Sequence, residues 1–172
     1  MINLHTKLIG MKIAVFPGSF DPITIGHYSL VKRALPLFDK IIVAVGINSA
    51  KEYLFPLDQR LEWLHKVFKP YLKIEIDTFH GLTAKYCEEK KADFIIRGLR
   101  NAADFDYEKT ISQVNSVLSH GIETIFFISN PEHSHISSSI VREIIKGQGD
   151  VSPFLPPGLE VYFNELFKAA KE

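Results

Sequence analysis

Five short apolar runs, each followed by a stretch of helical length, leave this chain few folds to choose from. The runs are Lys12–Phe16, Ile41–Gly46, Lys73–Asp77, Phe94–Arg97 and Thr124–Ile128. Several are apolar at successive positions, a pattern that suits a strand covered on both faces, as in a parallel sheet. Between them, Tyr28, Val31, Ala34, Leu35 and Phe38 recur at helical spacing, as do Leu57, Leu61, Leu64 and Phe68. Tyr107, Ile111, Val114 and Leu118 make a third row, and Leu159, Tyr162, Phe163, Leu166, Phe167 and Ala170 a fourth. Asp58 is placed to cap the second helix, Gly121 to end the helix before the fifth strand, and Pro156-Pro157-Gly158 to turn into the last one. Strands alternating with helices predict an α/β protein. Its sheet is Rossmann-like, single-domain, open, parallel and five-stranded, with helices on both faces.

Ligands of such sheets bind beyond the carboxyl ends of the strands, where strand order reverses. The residues just after each strand are therefore the ones to read. After the first come Pro17-Gly18-Ser19-Phe20-Asp21-Pro22-Ile23-Thr24-Ile25-Gly26-His27, which match neither a dinucleotide fingerprint nor a Walker P-loop. Gly18 would let backbone approach a ligand, and Ser19 offers a hydroxyl. Gly26 and His27 fall at a helix start, where free N–H groups favour an anion; the plainer reading is a turn with Thr24 as cap. Asn48-Ser49-Ala50-Lys51 follows the second strand, and a solvated loop lysine is its plain reading.

Arg97-Gly98-Leu99-Arg100 follows the fourth strand. Arginine forks suit phosphate oxygens, although Asp104 and Glu108 could simply pair with them. Ile136-Ser137-Ser138-Ser139 opens the next helix with no Glu or Gln three residues after any serine, so hydroxyls and main-chain donors stay available. Taken together, two helix starts, a lysine and two arginines on one sheet edge describe a polyphosphate site.

Other candidates carry less. His133-Ser134-His135 has no accompanying carboxylate cluster, so it reads poorly as a metal site. Cys87, beside Tyr86 in helical register, reads as packing, and Trp63 and Phe68 as core or interface. Twenty Lys+Arg balance twenty Asp+Glu, which argues against a duplex-coating protein but not against a local anion pocket. One cysteine excludes an internal disulfide and fits a reducing compartment, and no apolar run approaches the roughly 20 residues of a membrane helix. The expectation is a cytoplasmic protein with neither nucleic-acid nor membrane partners. Met1–Gly10 reads as a leader, a tag remnant or a mis-called start, with one domain over 11–172.

On these residues the chain resembles the phosphopantetheine adenylyltransferases of bacterial coenzyme A biosynthesis, within the nucleotidylyltransferase superfamily. The superfamily's (H/T)-x-G-H motif is Thr24-Ile25-Gly26-His27. The more specific pieces are Pro17–His27, Ile96–Arg100, Ala103–Glu108, Ile136–Ser139, and Gly149-Asp150-Val151 with Phe154-Leu155-Pro156. The resemblance implies adenylyl transfer from ATP to 4′-phosphopantetheine, giving dephospho-coenzyme A and pyrophosphate. Mg²⁺ would be held through the ATP phosphates. It also implies a homohexamer and coenzyme A as a feedback ligand.

By resemblance, His27, Lys51 and Arg100 are catalytic. Ser19, Phe20, His27, Gly98, Arg100, Asp104, Glu108, Ser137, Ser138 and Ser139 face ATP. Ser19, Lys51, Leu82, Thr83, Arg97 and Asn115 face phosphopantetheine. The chain departs from the family in having Ser49 where a loop proline is common, His133 where an aromatic residue is frequent, and Thr83 in place of a larger apolar side chain. Rival readings are a nicotinamide-mononucleotide adenylyltransferase or a cytidylyltransferase, which should not need the Arg97–Arg100 and Asp104–Glu108 segments. A non-catalytic nucleotide sensor is another; a fragment of a class I aminoacyl-tRNA synthetase lacks a tRNA-binding domain and a basic excess.

Overall fold

The computed structural model describes residues 10–119 and 121–163. β1 (Ile13–Gly18), β2 (Lys40–Ile47), β3 (Ile74–His80), β4 (Phe94–Leu99) and β5 (Glu123–Ile128) form one sheet in the order β3-β2-β1-β4-β5. Every pairing is parallel. Each expected strand is present, most of them a residue or two longer than the apolar run. The connections carry α1 (Ile25–Ala34), α2 (Leu57–Phe68), α3 (Thr83–Glu89) and α4 (Ala102–Leu118), with α5 (Ser138–Lys146) after β5.

The unbroken apolar runs have the cause inferred from sequence. Along β2, Ile41, Val43 and Val45 enter one core with Leu30, Val31, Trp63, Leu64 and Val141. Ile42 and Ala44 enter the other with Tyr86 and Cys87. Successive side chains of a strand point to opposite faces, so a strand buried twice must be apolar at every position. Trp63 anchors the larger core, its ring centroid 4.8 Å from Phe55 and 4.7 Å from Phe163. Burial pushes the Cys87 thiol up to about 12, which fits packing and not nucleophilic chemistry.

Two local expectations need correction, and one helical row proves to face outward. Asp58 does not cap α2; Pro56 occupies the N-cap and Asp58 lies in the first turn, where its charge still complements the helix dipole. The row on α4 is not buried within this chain. Tyr107 is 65% exposed, Val114 49% and Leu118 46%, with Val117 at 81% alongside; the buried residue of α4 is Glu108. Leu35–Leu37 leaves the α1 helix as a separate 3-10 turn containing Pro36. Gly121 does follow α4 with φ 109°, its N–H bonded to the Ser116 carbonyl, and Gly158 turns at φ 85°. Of the last helical row, Leu166, Phe167 and Ala170 lie outside the described residues.

The sheet opens at its centre. β1 and β2 are in register from Ile13↔Lys40 to Gly18↔Val45, and β4 and β5 from Phe94↔Glu123 to Leu99↔Ile128. β1 and β4 pair only at Ala14↔Phe94 and Val15↔Ile95. Beyond those residues the two strands separate, and the crossovers leave toward opposite sides. Trp63→Ala should cost about 3–5 kcal/mol, the range for deleting a large buried aromatic. Urea unfolding followed by circular dichroism measures it, and a cost under 1 kcal/mol would contradict the central place given to Trp63.

Candidate active site

A cleft of about 300 Å³ lies where β1 and β4 part. Its walls include Pro17, Gly18 and Ser19 after β1, Thr24, Gly26 and His27 at the α1 start, and Arg97, Gly98 and Arg100 at the end of β4. Asp104 and Glu108 of α4 complete it with Ser129, His133, Ser137 and Ser138. The gap in the ladder is bridged by a side chain: Arg97 Nη1 donates to the Pro17 carbonyl at 3.2 Å. Arg97 is also held by Glu108, with Nε 2.7 Å from Oε2 and Nη2 bonded to Oε1. Arg100 is clasped by Asp104 through Nε at 2.9 Å and Nη2 at 3.0 Å, and the Asp104 carboxylate also accepts the Arg100 backbone N–H. The Arg100 guanidinium holds the Asp104 carboxyl below the usual carboxylate range. Both sequence readings of these arginines therefore stand, since they pair with these carboxylates and still line the cleft.

α1 begins in the cleft wall. Thr24 caps it, with φ −121° and ψ 165°, and the motif closes on itself. His27 N–H approaches Thr24 Oγ1 at 3.5 Å, and Thr24 N–H donates to His27 Nδ1 at 3.1 Å. This is a capping box in which histidine takes the place usual for Glu or Gln. The peptide N–H groups of Ile25 and Gly26, in the first turn, have no acceptor within the helix and are open to an anion. Burial, then the nearby charges of Arg100 and Arg97, lower the His27 pKa from 6.5 to about 4.

α5 supplies a second helix start. Ser137 caps it by accepting from Ile140 N–H at 3.2 Å, and Ser138 Oγ donates to the Pro22 carbonyl at 2.8 Å. Ser139 faces away, exposed and bonded to Arg142, and does not line the cleft.

Other candidates are placed differently from expectation. Lys51 is exposed on the β2–α2 loop and does not line the cleft; the loop is folded by Asn48, whose Oδ1 accepts from Ala50 N–H at 2.9 Å. No ion pair engages the Lys51 ammonium among the described residues. The Phe20 ring is core, 1% exposed and edge-on to His27 at 5.3 Å. Gly18 is required by that ring rather than by a ligand, because a Cβ there would sit 2.9 Å from Phe20 Cζ. Gly98 leaves room for Leu30, whose Cδ1 would be 2.7 Å from an added Cβ.

A second cavity, of about 140 Å³, shares Pro17, Arg97 and Glu108 with the first. Thr83, Tyr107, Ile111, Ser112, Asn115 and Thr124 form the rest of its wall with Ile95, which brings Thr83 and Asn115 into one wall with Arg97. Leu82 is 59% exposed and lines neither cavity. Thr124 Oγ1, buried in that wall, has no hydrogen-bond partner among the described residues. Among the described residues no three His, Cys, Asp or Glu side chains form a metal cluster, and the cleft's two carboxylates are committed to arginines.

Sequence reasoning missed the frame behind the site. Asp21, 2% exposed, accepts the N–H groups of Leu54 and Phe55 at 2.9 Å each and lies 3.7 Å from Arg142 of α5. Buried Arg60 donates to the carbonyls of Ser19 and Phe55. Together they tie the loops after β1 and β2 to α2 and α5. The one faint trace in the sequence is Arg60 itself, an arginine set among Leu57, Leu61 and Leu64 on the apolar face of α2. Ser129, directly after β5, was available from the strand-end rule.

The chain matches the cytidylyltransferase-like family over residues 15–144 and belongs to it. It is 50% identical over 145 residues to the phosphopantetheine adenylyltransferase of Cytophaga hutchinsonii, covering 84% of this chain and 97% of that one. To the enzyme of the same name from Leptospira biflexa it is 51% identical over 144 residues, with 84% and 90% covered. Within the wider family, then, this chain is one of the phosphopantetheine adenylyltransferases. A Vibrio parahaemolyticus structure assigned as a nicotinate-nucleotide adenylyltransferase shares the fold at TM-score 0.66 and 18% identity, covering 88% of this chain and 97% of that one.

A histidine neutral in the fold at a pH where the unfolded chain takes up a proton loses stability on acidification. Between pH 6.5 and 4 the unfolded state binds the proton first, so stability falls with pH in that window. Asp104, with its carboxyl held below the ordinary 3.8, begins to lose its contribution only near the acid end of that window, and does so in wild type and variant alike. The urea midpoint of the protein should therefore drop more from pH 6.5 to 4.5 than that of His27→Gln. Parallel curves would show that His27 is not held neutral.

Proposed function

We propose that the protein transfers the adenylyl group of ATP to 4′-phosphopantetheine, forming dephospho-coenzyme A and pyrophosphate. The observation that carries this reading is the pair of cavities sharing the Arg97–Glu108 wall. A nucleotide in the larger and an acceptor in the smaller would meet beside Pro17 and the α1 N-terminus. A phosphomonoester has its second pKa near 6, so at neutral pH it attacks as the dianion and needs no protein base. An acceptor phosphate oxygen bonds to the α-phosphorus as the bond to the pyrophosphate oxygen breaks, in line, and pyrophosphate leaves.

In this reading His27, Arg100, the first N–H groups of α1, and Ser137 and Ser138 meet the ATP phosphates. Ser19 sits where the two phosphates approach. Gly98, Asp104 and Glu108 border the nucleoside, and the Phe20 ring serves only by supporting His27 from behind. Arg97 uses the N–H bonds left over from Glu108 and Pro17 on the acceptor phosphate, with Thr83 and Asn115 along the pantetheine arm. Lys51 contributes from the rim, where a long flexible stem gives an unpaired ammonium reach. Mg²⁺ would arrive as the counter-ion of the ATP phosphates and not on protein carboxylates. Coenzyme A carries the same arm as the acceptor, so it can compete for the smaller cavity.

The test is pyrophosphate release from ATP with 4′-phosphopantetheine, nicotinamide mononucleotide or no acceptor. Release dependent on phosphopantetheine is expected, and His27→Ala should lower it by about 10²-fold, as for one lost transition-state donor. Turnover with nicotinamide mononucleotide alone, or ATP binding without release under any condition, would replace the reading.

We further infer that copies assemble through α4, as a homohexamer by family resemblance. Tyr107, Val114, Val117 and Leu118 form an exposed apolar row on one helix, the kind of patch that marks an interaction surface. Val117→Asp should shift the light-scattering mass to a smaller species, and an unchanged mass would remove α4 from the interface.

A further inference from the structure

The ring of His27 is held from one side by a single residue. Thr24 approaches His27 Nδ1 twice, with its backbone N–H at 3.1 Å and its Oγ1 at 2.9 Å. A peptide N–H can only donate, so Nδ1 must present its lone pair, and the ring proton must reside on Nε2. The hydroxyl reinforces this. Its contact with the His27 backbone N–H is 3.5 Å, at the long limit for a hydrogen bond, whereas its contact with Nδ1 has a normal length. Thr24 Oγ1 thus serves the ring more than the helix end. Phe20, edge-on at 5.3 Å, and Phe16, at 6.1 Å, fix the plane of the imidazole.

We propose that Thr24 is a positioning residue that locks His27 as the neutral tautomer with its proton on Nε2. His27 then meets phosphate as a fixed hydrogen-bond donor, neither a base nor a cation. This rests on the reading that the cleft takes the phosphates of ATP. The charged and titratable groups sharing that cleft are Arg97 and Arg100, Asp104 and Glu108, and His133. The two arginines already carry the positive charge, and the two carboxylates are bound to them, so none is free to stabilise an imidazolium. A donor whose direction and protonation are set before substrate arrives needs no reorganisation as charge moves onto the departing pyrophosphate. The threonine in the first place of the Thr24–His27 motif is thereby given a chemical task beyond its cap.

The experiment uses the full chain labelled with ¹⁵N-histidine and long-range ¹H–¹⁵N correlation, the His27 signals being those lost in His27→Gln. A pyrrole-like Nε2 and a pyridine-like Nδ1, unchanged from pH 8 to 5, are expected. A proton on Nδ1, or an imidazolium at pH 7, would overturn the proposal. Thr24→Val keeps the backbone donor and loses the hydroxyl. Its Nδ1 signal should move toward that of a free histidine and its protonation should begin at higher pH. The kcat should fall about tenfold, near what one hydrogen bond is worth, while Thr24→Ser restores both signal and rate. If Thr24→Val lowers kcat with the ring signals unmoved, or leaves kcat at the wild-type value, Thr24 is a helix cap and nothing more. Should the wild-type protein release no pyrophosphate with any acceptor, the functional reading fails, while the ring signals of the three proteins still decide the role of Thr24.

Discussion

Everything at this site follows from two central strands that part early. β1 and β4 share register only at Ala14↔Phe94 and Val15↔Ile95, whereas their outer partners stay paired to the strand ends. The carbonyls and N–H groups beyond that point need other partners, because unpaired backbone polar groups are costly when buried. Arg97 supplies one by donating to the Pro17 carbonyl across the gap. The same guanidinium lines both cavities, so the group that bridges the sheet's broken ladder also forms the wall between them.

The cleft presents hydrogen-bond donors without a large net charge. Arg97 with Glu108 and Arg100 with Asp104 cancel in pairs, and what remains is directional. Arg97 has five N–H donors and commits three to Glu108 and Pro17. The first turns of α1 and α5 add donors with no intrahelical acceptor. Paired arginines keep their forks oriented, so little side-chain entropy remains to be lost when a phosphate arrives. The balanced composition of the whole chain and the polyanion chemistry of one cleft are therefore compatible, since the first concerns the field far away and the second the donors within reach.

The sheet, its crossovers and the edge that carries the site were legible because double burial writes a continuous apolar run, and parallel topology sends every strand end to one side. His27, Arg97, Gly98, Arg100 and the serines followed from that rule, and the resemblance sorted them into roles. What the sequence hid was direction. A strand-end rule places Lys51, Phe20, Leu82 and Ser139 at the right edge but does not say where each side chain points. Phe20, at φ 46°, turns its ring inward beneath His27, and Gly18 is small to admit it. The helical period of α4 was read correctly, yet period does not reveal whether an apolar face meets its own chain or another copy. Asp21 and Arg60 left almost no trace, because a buried ion shows itself only through partners that are distant in sequence.

The exposed α4 face also reaches the wall of the smaller cavity. Tyr107 belongs to the exposed apolar row, and it lines the smaller cavity with Ile111. A molecule that covered this row would contact a residue of the smaller cavity's wall, and linkage makes any coupling between two such binding events reciprocal. Arg97 and Glu108 extend that wall into the nucleotide cleft, with Glu108 on the same helix as the apolar row. One 17-residue helix therefore joins an exposed apolar row, the smaller cavity and, through Glu108, the arginine that lines both cavities.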